Sequence, residues 1–157
     1  ARRPPTVVNA GHGVRMLIDY VGVTGVGGEY YGSGPYNGII VRNQAGVVTI
    51  TGILDGTSNT MMFGEKRLQK DQYASGAWHD DTGGVSVWDP DIMKLTNYAW
   101  GPAAMSGVNG NEFGSAHPAG MNVAMGDGSI RSIKYGTINA ILDQLGDRRD
   151  GSTPNID

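Results

Sequence analysis

The stretch that decides the fold is MNVAMGDGSIRSIK, residues 121–134. Two strand-like runs flank the pair Asp127-Gly128, which is typical of a β-hairpin with a type I′ turn, because both turn residues need a positive φ. A short helix is predicted directly after it, with Thr137 as N-cap and Gly146 at the C′ position. Its apolar stripe consists of Ile138, Ile141, Leu142 and Leu145. We therefore expect a hairpin followed by a helix that buries one face against the sheet.

Glycine-rich loops surround this hairpin. The 157 residues include 26 Gly and 7 Pro, a content that excludes a helical bundle and favours short strands joined by many turns. One domain is predicted over residues 1–157, with a loop-rich start over 1–38 and a loose tail over 148–157. Further strands are predicted at 39–42 and 47–51 (a hairpin), at 60–68, and near 73–78, 85–88 and 97–100. The predicted fold class is α+β, mainly β: an antiparallel sheet with long glycine-rich loops and one short C-terminal helix.

Charge and cysteine content exclude several functional classes. Twelve Lys+Arg against fifteen Asp+Glu give a net charge of −3, so no basic surface for nucleic acid is expected. With 39% apolar residues the chain is not expected to be disordered. It contains no cysteine, which excludes disulfides and thiol catalysis. No run approaches the roughly 18 apolar residues of a membrane helix.

The sequence lacks the usual catalytic motifs. Its histidines are His12, His79 and His117. No G-x-S-x-G pentapeptide presents a serine nucleophile, and no H-E-x-x-H motif presents zinc ligands. No helix follows the glycine-rich segment 22–38 that could hold a phosphate. We therefore expect a protein that is not an enzyme, with a hydrolase built around His117 and Asp127 as the remaining enzymatic alternative.

A second alternative is a secreted calcium- or glycan-binding module. Calcium takes six to eight oxygen ligands, mostly from loops. The candidate ligands fall within twelve residues and are Asp80, Asp81, Asp89 and Asp91. The pattern departs from a calcium loop at Met93, where a third oxygen ligand belongs. Trp78, Trp88 and Trp100 are the candidates for stacking on sugar rings, although core packing is the usual role of tryptophan. Calcium is the one cofactor candidate, and otherwise none is expected.

Two segments resemble a known family. Residues 53–66, ILDGTSNTMMFGEK, are similar to its Asp-Gly-Thr-Ser-Asn-Thr block followed by an apolar stretch and Gly-Glu. His117, nine further residues and then Asp127-Gly128 are similar to its C-terminal signature. The family is the prepilin-type, pseudopilin-like domain of unknown function abundant in planctomycete-type bacteria. Ser132 stands where that family often has an aromatic residue, and Ala119 where glycine is common.

The resemblance implies a pilin-like fold and an exported protein at the cell surface, in the periplasm or outside the cell. Family members usually begin with a long apolar helix that enters a filament or the membrane, and the sequence is expected to lack that N-terminal pilin helix. The implied function is a non-enzymatic structural subunit, similar to a pseudopilin of type II secretion or type IV pilus systems. We expect protein partners, in a homo-oligomer, filament or envelope complex, and membrane contact only through the missing helix.

The motif residues are expected to have structural roles. Asp55 and Gly56 are predicted to form a turn whose backbone groups the following polar side chains satisfy. His117 precedes a proline, so an extended backbone is expected, with its ring beside the 121–134 hairpin and bonded to a backbone group or to Asp127. The complete set is Asp55, Gly56, Thr57, Ser58, Asn59, Thr60, Gly64, Glu65, His117, Asp127 and Gly128.

Overall fold

The computed structural model describes residues 4, 6–9, 13–27, 34–84 and 88–156, and the fold is mainly β. Three-residue 3-10 turns lie at Asn43–Ala45, Ile50–Gly52 and Lys70–Gln72. The strands are β1 Thr6–Asn9, β2 Gly13–Met16, β3 Tyr20–Gly25, β4 Met61–Glu65, β5 Met93–Leu95, β6 Gly101–Pro102, β7 Gly114–Ser115, β8 Gly120–Met125 and β9 Ile130–Lys134. The α-helix is α1, Asn139–Gly146.

A five-stranded sheet with the order β5-β3-β4-β8-β9 forms the centre of the fold. Its neighbouring strands are antiparallel except β3 and β5, which run parallel, so the sheet is mixed rather than purely antiparallel. Pairs β1-β2 and β6-β7 form two small additional sheets.

The hairpin predicted at 121–134 is confirmed, with a different turn. Strand β8 pairs with β9 from Gly120↔Lys134 to Ala124↔Ile130. Gly128 has φ +83°, and Asp127 is not among the residues with positive φ. The Gly128 N–H bonds to the Met125 carbonyl, which closes a three-residue loop ending in a left-handed glycine. The type I′ prediction was therefore wrong, because only the glycine takes the left-handed conformation.

The core lies on one face of this sheet. Alternate residues of the strands point to it, and α1 and Phe113 cover it. Gly64 of β4 is small for a steric reason, since a Cβ there would lie 2.8 Å from the Phe113 ring. The buried cluster consists of Val21, Val23, Met61, Phe113, Met121, Val123, Met125, Ile133, Leu142 and Leu145.

Several local predictions differ from the structure. Residues 6–25, expected within a loop-rich start, contribute three strands. The hairpin expected at 39–51 is replaced by two 3-10 turns, and Val47 and Ile50 are exposed. No strand covers 73–78 or 97–100, and residues 85–87 lie outside the described residues. The 60–68 strand is confirmed in shorter form as β4.

The C-terminal helix is confirmed with shifted ends. Ile138, not Thr137, occupies the N-cap position, and Gly146 is the last helical residue rather than C′. A Cβ on Gly146 would collide with the Thr96 side chain, so close packing explains this glycine. The start of the tail, predicted to be loose, is bonded to residues 37 and 54–55. In the part of the chain that the structure describes, no helix is long and apolar enough to cross a membrane.

Candidate functional site

The first motif forms a turn that ties the C-terminal tail to the sheet. The Asp55 carboxylate is buried and accepts hydrogen bonds from the backbone N–H of Asp150 at 3.1 Å and of Gly151 at 2.8 Å. Gly56 has φ +91°, which only glycine adopts without strain. The Asn59 amide donates to the Asp55 carbonyl at 2.9 Å. This motif therefore closes a turn and also fixes a distant segment.

The two motifs meet at the hairpin loop. The Thr60 hydroxyl bonds to the Gly56 carbonyl at 3.1 Å. The Asp127 N–H bonds to the Thr57 carbonyl, and the Gly126 N–H bonds to the Thr60 carbonyl at 2.8 Å. Backbone N–H groups of the second motif thus bond to backbone carbonyls of the first, so both motifs have a structural role.

A second junction joins Glu65 of the first motif to His117 of the second. His117 Nε2 lies 3.3 Å from Glu65 Oε1. The other carboxylate oxygen accepts the Asn122 N–H at 2.6 Å, and the Tyr20 hydroxyl lies 3.5 Å from Oε1. The partner predicted for His117 was a backbone group or Asp127, whereas its ring lies against the Glu65 carboxylate. The Asp127 carboxylate accepts the Ser129 N–H at 2.8 Å within its own loop.

The Ser115 side chain binds the backbone of His117. The Ser115 hydroxyl accepts the His117 N–H at 2.9 Å and donates to the Gly120 carbonyl at 2.8 Å. The Tyr135 hydroxyl lies 3.0 Å from the same oxygen, and burial raises the pKa of Tyr135 above its usual value. These bonds fix where the histidine ring stands.

The motif junction borders an open apolar face. This open face is the side of the five-stranded sheet opposite the core, and its groove of about 450 Å³ is lined by Tyr20, Phe63, Asn122, Val123, Ala124 and Ile130. Tyr20 is 54%, Phe63 39% and Ile130 69% exposed. Strand register explains the cluster, since Phe63 pairs with Ala124 and Ala124 pairs with Ile130. Three large apolar side chains therefore stand together in solvent.

A buried cluster of charges joins Lys66, which follows β4, and Lys94 on β5 to Asp80 and Asp91. The burial of the two lysines was not predicted. Lys66 Nζ lies 2.6 Å from Asp80 Oδ1 and donates to the Asp91 carbonyl at 2.8 Å. Lys94 on β5 donates to the Gly110 carbonyl. All four side chains are buried, and Lys66 and Lys94 belong to the largest fully buried residues of the described chain. Lysine is almost never fully buried unless it is paired.

Burial shifts the titration of this cluster. It lowers the pKa of Lys94 to about 7 and raises the pKa of Asp91 to about 6. It also lowers the pKa of His79 to about 4; neither ring nitrogen of His79 has a hydrogen-bond partner among the described residues. Glu112 interacts electrostatically with Lys94. Its carboxylate accepts hydrogen bonds from the backbone N–H groups of Asn109 and Gly110 at 2.7 and 2.6 Å.

The four calcium candidates have internal partners in this structure. Asp80 pairs with Lys66, and Asp81 accepts the Thr82 hydroxyl at 2.6 Å. Asp89 accepts the Asp91 N–H at 3.0 Å, and the Asp91 carboxylate accepts the Asp81 N–H at 3.2 Å. Within the described ranges no group of three acidic or histidine residues could hold a metal ion. Calcium binding there stays a prediction, and the cation that Asp80 faces is Lys66.

The tryptophans have different surroundings. Trp88 lies under the Arg42 guanidinium, 5.3 Å from the ring centre, and Trp100 packs against the core and Tyr135. Trp78 is 64% exposed and forms a T-shaped pair with the His79 ring, with ring centres 5.4 Å apart. Two of the three rings are therefore engaged in contacts inside the protein.

The comparisons with known proteins gave one family match. Comparison with curated proteins and with solved structures gave no match. A scan against protein families matches residues 13–137 to the family described as "Protein of unknown function (DUF1559)". That range contains both motifs, their junctions and the open face. The match spans well over half of the sequence, and the chain therefore belongs to this family of proteins of unknown function.

Proposed function

We propose that this chain is a non-enzymatic structural subunit of a pilin-like assembly at the bacterial cell surface, in the periplasm or outside the cell. The observation that carries the proposal is the open face. Tyr20, Phe63 and Ile130 expose apolar surface on one side of a rigid sheet. A contiguous exposed apolar patch with a polar rim is the usual mark of a protein–protein contact.

A second copy of this chain is the proposed occupant of the open face. The two motifs that resemble pseudopilin-like proteins lie against its rim through Glu65 and His117. Glu65 thus places a carboxylate at the rim and His117 an imidazole, and a self-complementary contact between two copies can use both groups. In this proposal an apolar helix on the N-terminal side of residue 1 would carry the subunit into a filament or membrane.

The motif geometry supports a structural role over hydrolysis. His117 faces Glu65, but the hydroxyl of Ser115 is buried and bonded to the Gly120 carbonyl and near Tyr135. A serine nucleophile has to be reachable by substrate and to share a proton with a base. The His117 ring instead stands 60% exposed beside the apolar groove.

Self-association measured by sedimentation velocity over a concentration series tests this proposal. We expect reversible dimers or larger species, weakened about tenfold or more by Phe63→Glu or Ile130→Lys, because each buries a charge in the contact. Val47→Glu is the matched control, since Val47 is 91% exposed and outside the groove. A chain that stays monomeric at all concentrations, or variants that associate as the wild type does, would overturn the proposed contact.

A further inference from the structure

Lys66 and Asp80 form a buried pair in direct contact. Lys66 directly follows β4, and Asp80 lies in a turn closed by its own N–H on the Ala77 carbonyl at 2.8 Å. Nζ and Oδ1 are 2.6 Å apart, with side chains 0% and 4% exposed. Both ends are therefore fixed at contact distance in a site closed to bulk water.

From this arrangement we propose that Lys66 and Asp80 form an intramolecular isopeptide bond. The lone pair of uncharged Nζ attacks Cγ of the protonated Asp80 carboxyl, and a carbon–nitrogen bond forms. The Cγ–hydroxyl bond breaks, and that oxygen leaves as water with one proton from the acid and one from the amine. The product is an amide, and nothing is oxidised or reduced.

Burial supplies the condition that this step needs. In water the ammonium and carboxylate forms are strongly favoured, and neither reacts. Taking such ions out of water costs several kcal/mol each, and the Lys66 and Asp80 side chains are 0% and 4% exposed. A second buried lysine, Lys94, interacts electrostatically with Lys66, and two neighbouring ammonium groups disfavour each other's charge.

Asp91 is the proposed proton-transfer residue. The main-chain carbonyl of Asp91 accepts a hydrogen bond from Lys66 Nζ at 2.8 Å, and the Asp91 carboxylate interacts electrostatically with Lys66. Its Oδ1 is buried, with no hydrogen-bond partner among the described residues. A carboxyl group with a pKa of about 6 can both accept and return a proton near neutral pH.

The consequence is a covalent tie between the end of β4 and the 77–80 turn in a chain without cysteine. Closing a loop by a cross-link lowers the entropy of the unfolded chain, as a disulfide does. The proposal is independent of the assembly role, since it concerns only the buried cluster.

Mass spectrometry of the purified full chain tests the bond directly. We expect an intact mass lower than the sequence mass by one water. After trypsin digestion, peptide 43–67, uncleaved after Lys66, should be joined to peptide 71–94, which contains Asp80. A full sequence mass, with the two peptides separate, would overturn the proposal, and this measurement needs no variant.

Two controls separate the isopeptide from other losses of water. Aspartate before glycine can lose water to form a succinimide, and Asp55, Asp127 and Asp150 all precede glycine. Hydroxylamine opens succinimides, whereas an isopeptide retains its mass.

Lys66→Arg should restore the full mass, and Lys70→Ala, at an exposed site, should leave the loss of water intact. Asp91→Asn should slow bond formation by about 10²-fold or more; a rate unchanged by Asp91→Asn would overturn its assigned role.

Discussion

The Glu65 carboxylate joins the two sequence motifs through His117, whose Nε2 lies 3.3 Å from Glu65 Oε1. The two partners have unequal surroundings: the histidine side chain is 60% and the glutamate side chain 12% exposed. The second oxygen of Glu65 also holds the Asn122 N–H on β8. Glu65 thus links strands β4 and β8, and His117 contacts it from the solvent-exposed side.

This asymmetry predicts unequal losses of stability. Glu65→Ala should lower the free energy of unfolding by about 1–3 kcal/mol, because the Asn122 N–H loses its acceptor. His117→Ala should cost below about 1 kcal/mol, because the contact with Glu65 is exposed on the histidine side. Urea denaturation of both single variants and the double variant checks this. A coupling energy above about 1 kcal/mol would contradict the weak-pair interpretation.

Asp55 is predicted to hold the tail. Asp55→Ala leaves the N–H groups of Asp150 and Gly151 without their acceptor, so it should lower stability by about 1–3 kcal/mol. Amide hydrogen exchange should show faster exchange at these two residues than elsewhere. Asp71→Ala, at an exposed position, is the matched control. Unchanged exchange at 150–151 would show that the tail is held by other contacts.

Gly146 is predicted to be required for packing, not for backbone conformation. Gly146→Ala should destabilise by about 1–3 kcal/mol, because its Cβ meets the Thr96 side chain. On an exposed helix surface the same change would stabilise by about 1 kcal/mol. Thermal unfolding should therefore show a lower Tm, and Asn139→Ala at the exposed first helical residue serves as the control. A Tm that rises in Gly146→Ala would contradict the close contact.

How much of this could be predicted from the sequence depends on where the contacts lie along the chain. The 121–134 hairpin and the helix are local patterns, and both are present. Strand β3 has glycines that weaken its pattern; Gly22 is small because Met93 and Ile40 fill the space beside it. Its partners β4 and β5 lie far along the chain, so the pairing of this strand could not be predicted from the local sequence.

The charged cluster was missed for a related reason. Lysine in a sequence ordinarily indicates exposure. A signal was present, since Lys94 lies between Met93 and Leu95 in a short apolar run. The contact of Glu65 with His117 also required the fold, because it depends on strand register between β4 and β8. The motif residues themselves could be named from sequence, but their partners could not.

Lys94 predicts an unusual dependence of stability on pH. Burial holds its pKa in the folded state near 7, below its unfolded value of 10.5. Between these values the unfolded chain binds more protons than the folded one, so the contribution of Lys94 to stability increases as pH rises. The slope should approach about 1 kcal/mol per pH unit between pH 7 and 9. Chemical denaturation at pH 7, 8 and 9 measures it.

Replacement of Lys94 by a neutral side chain of similar length isolates this effect. Lys94→Met keeps the alkyl volume and removes the titrating amine, so the pH slope should disappear. Lys134→Met, at an exposed position on β9, should leave the slope as it is. A slope that persists in Lys94→Met would assign the titration to another group.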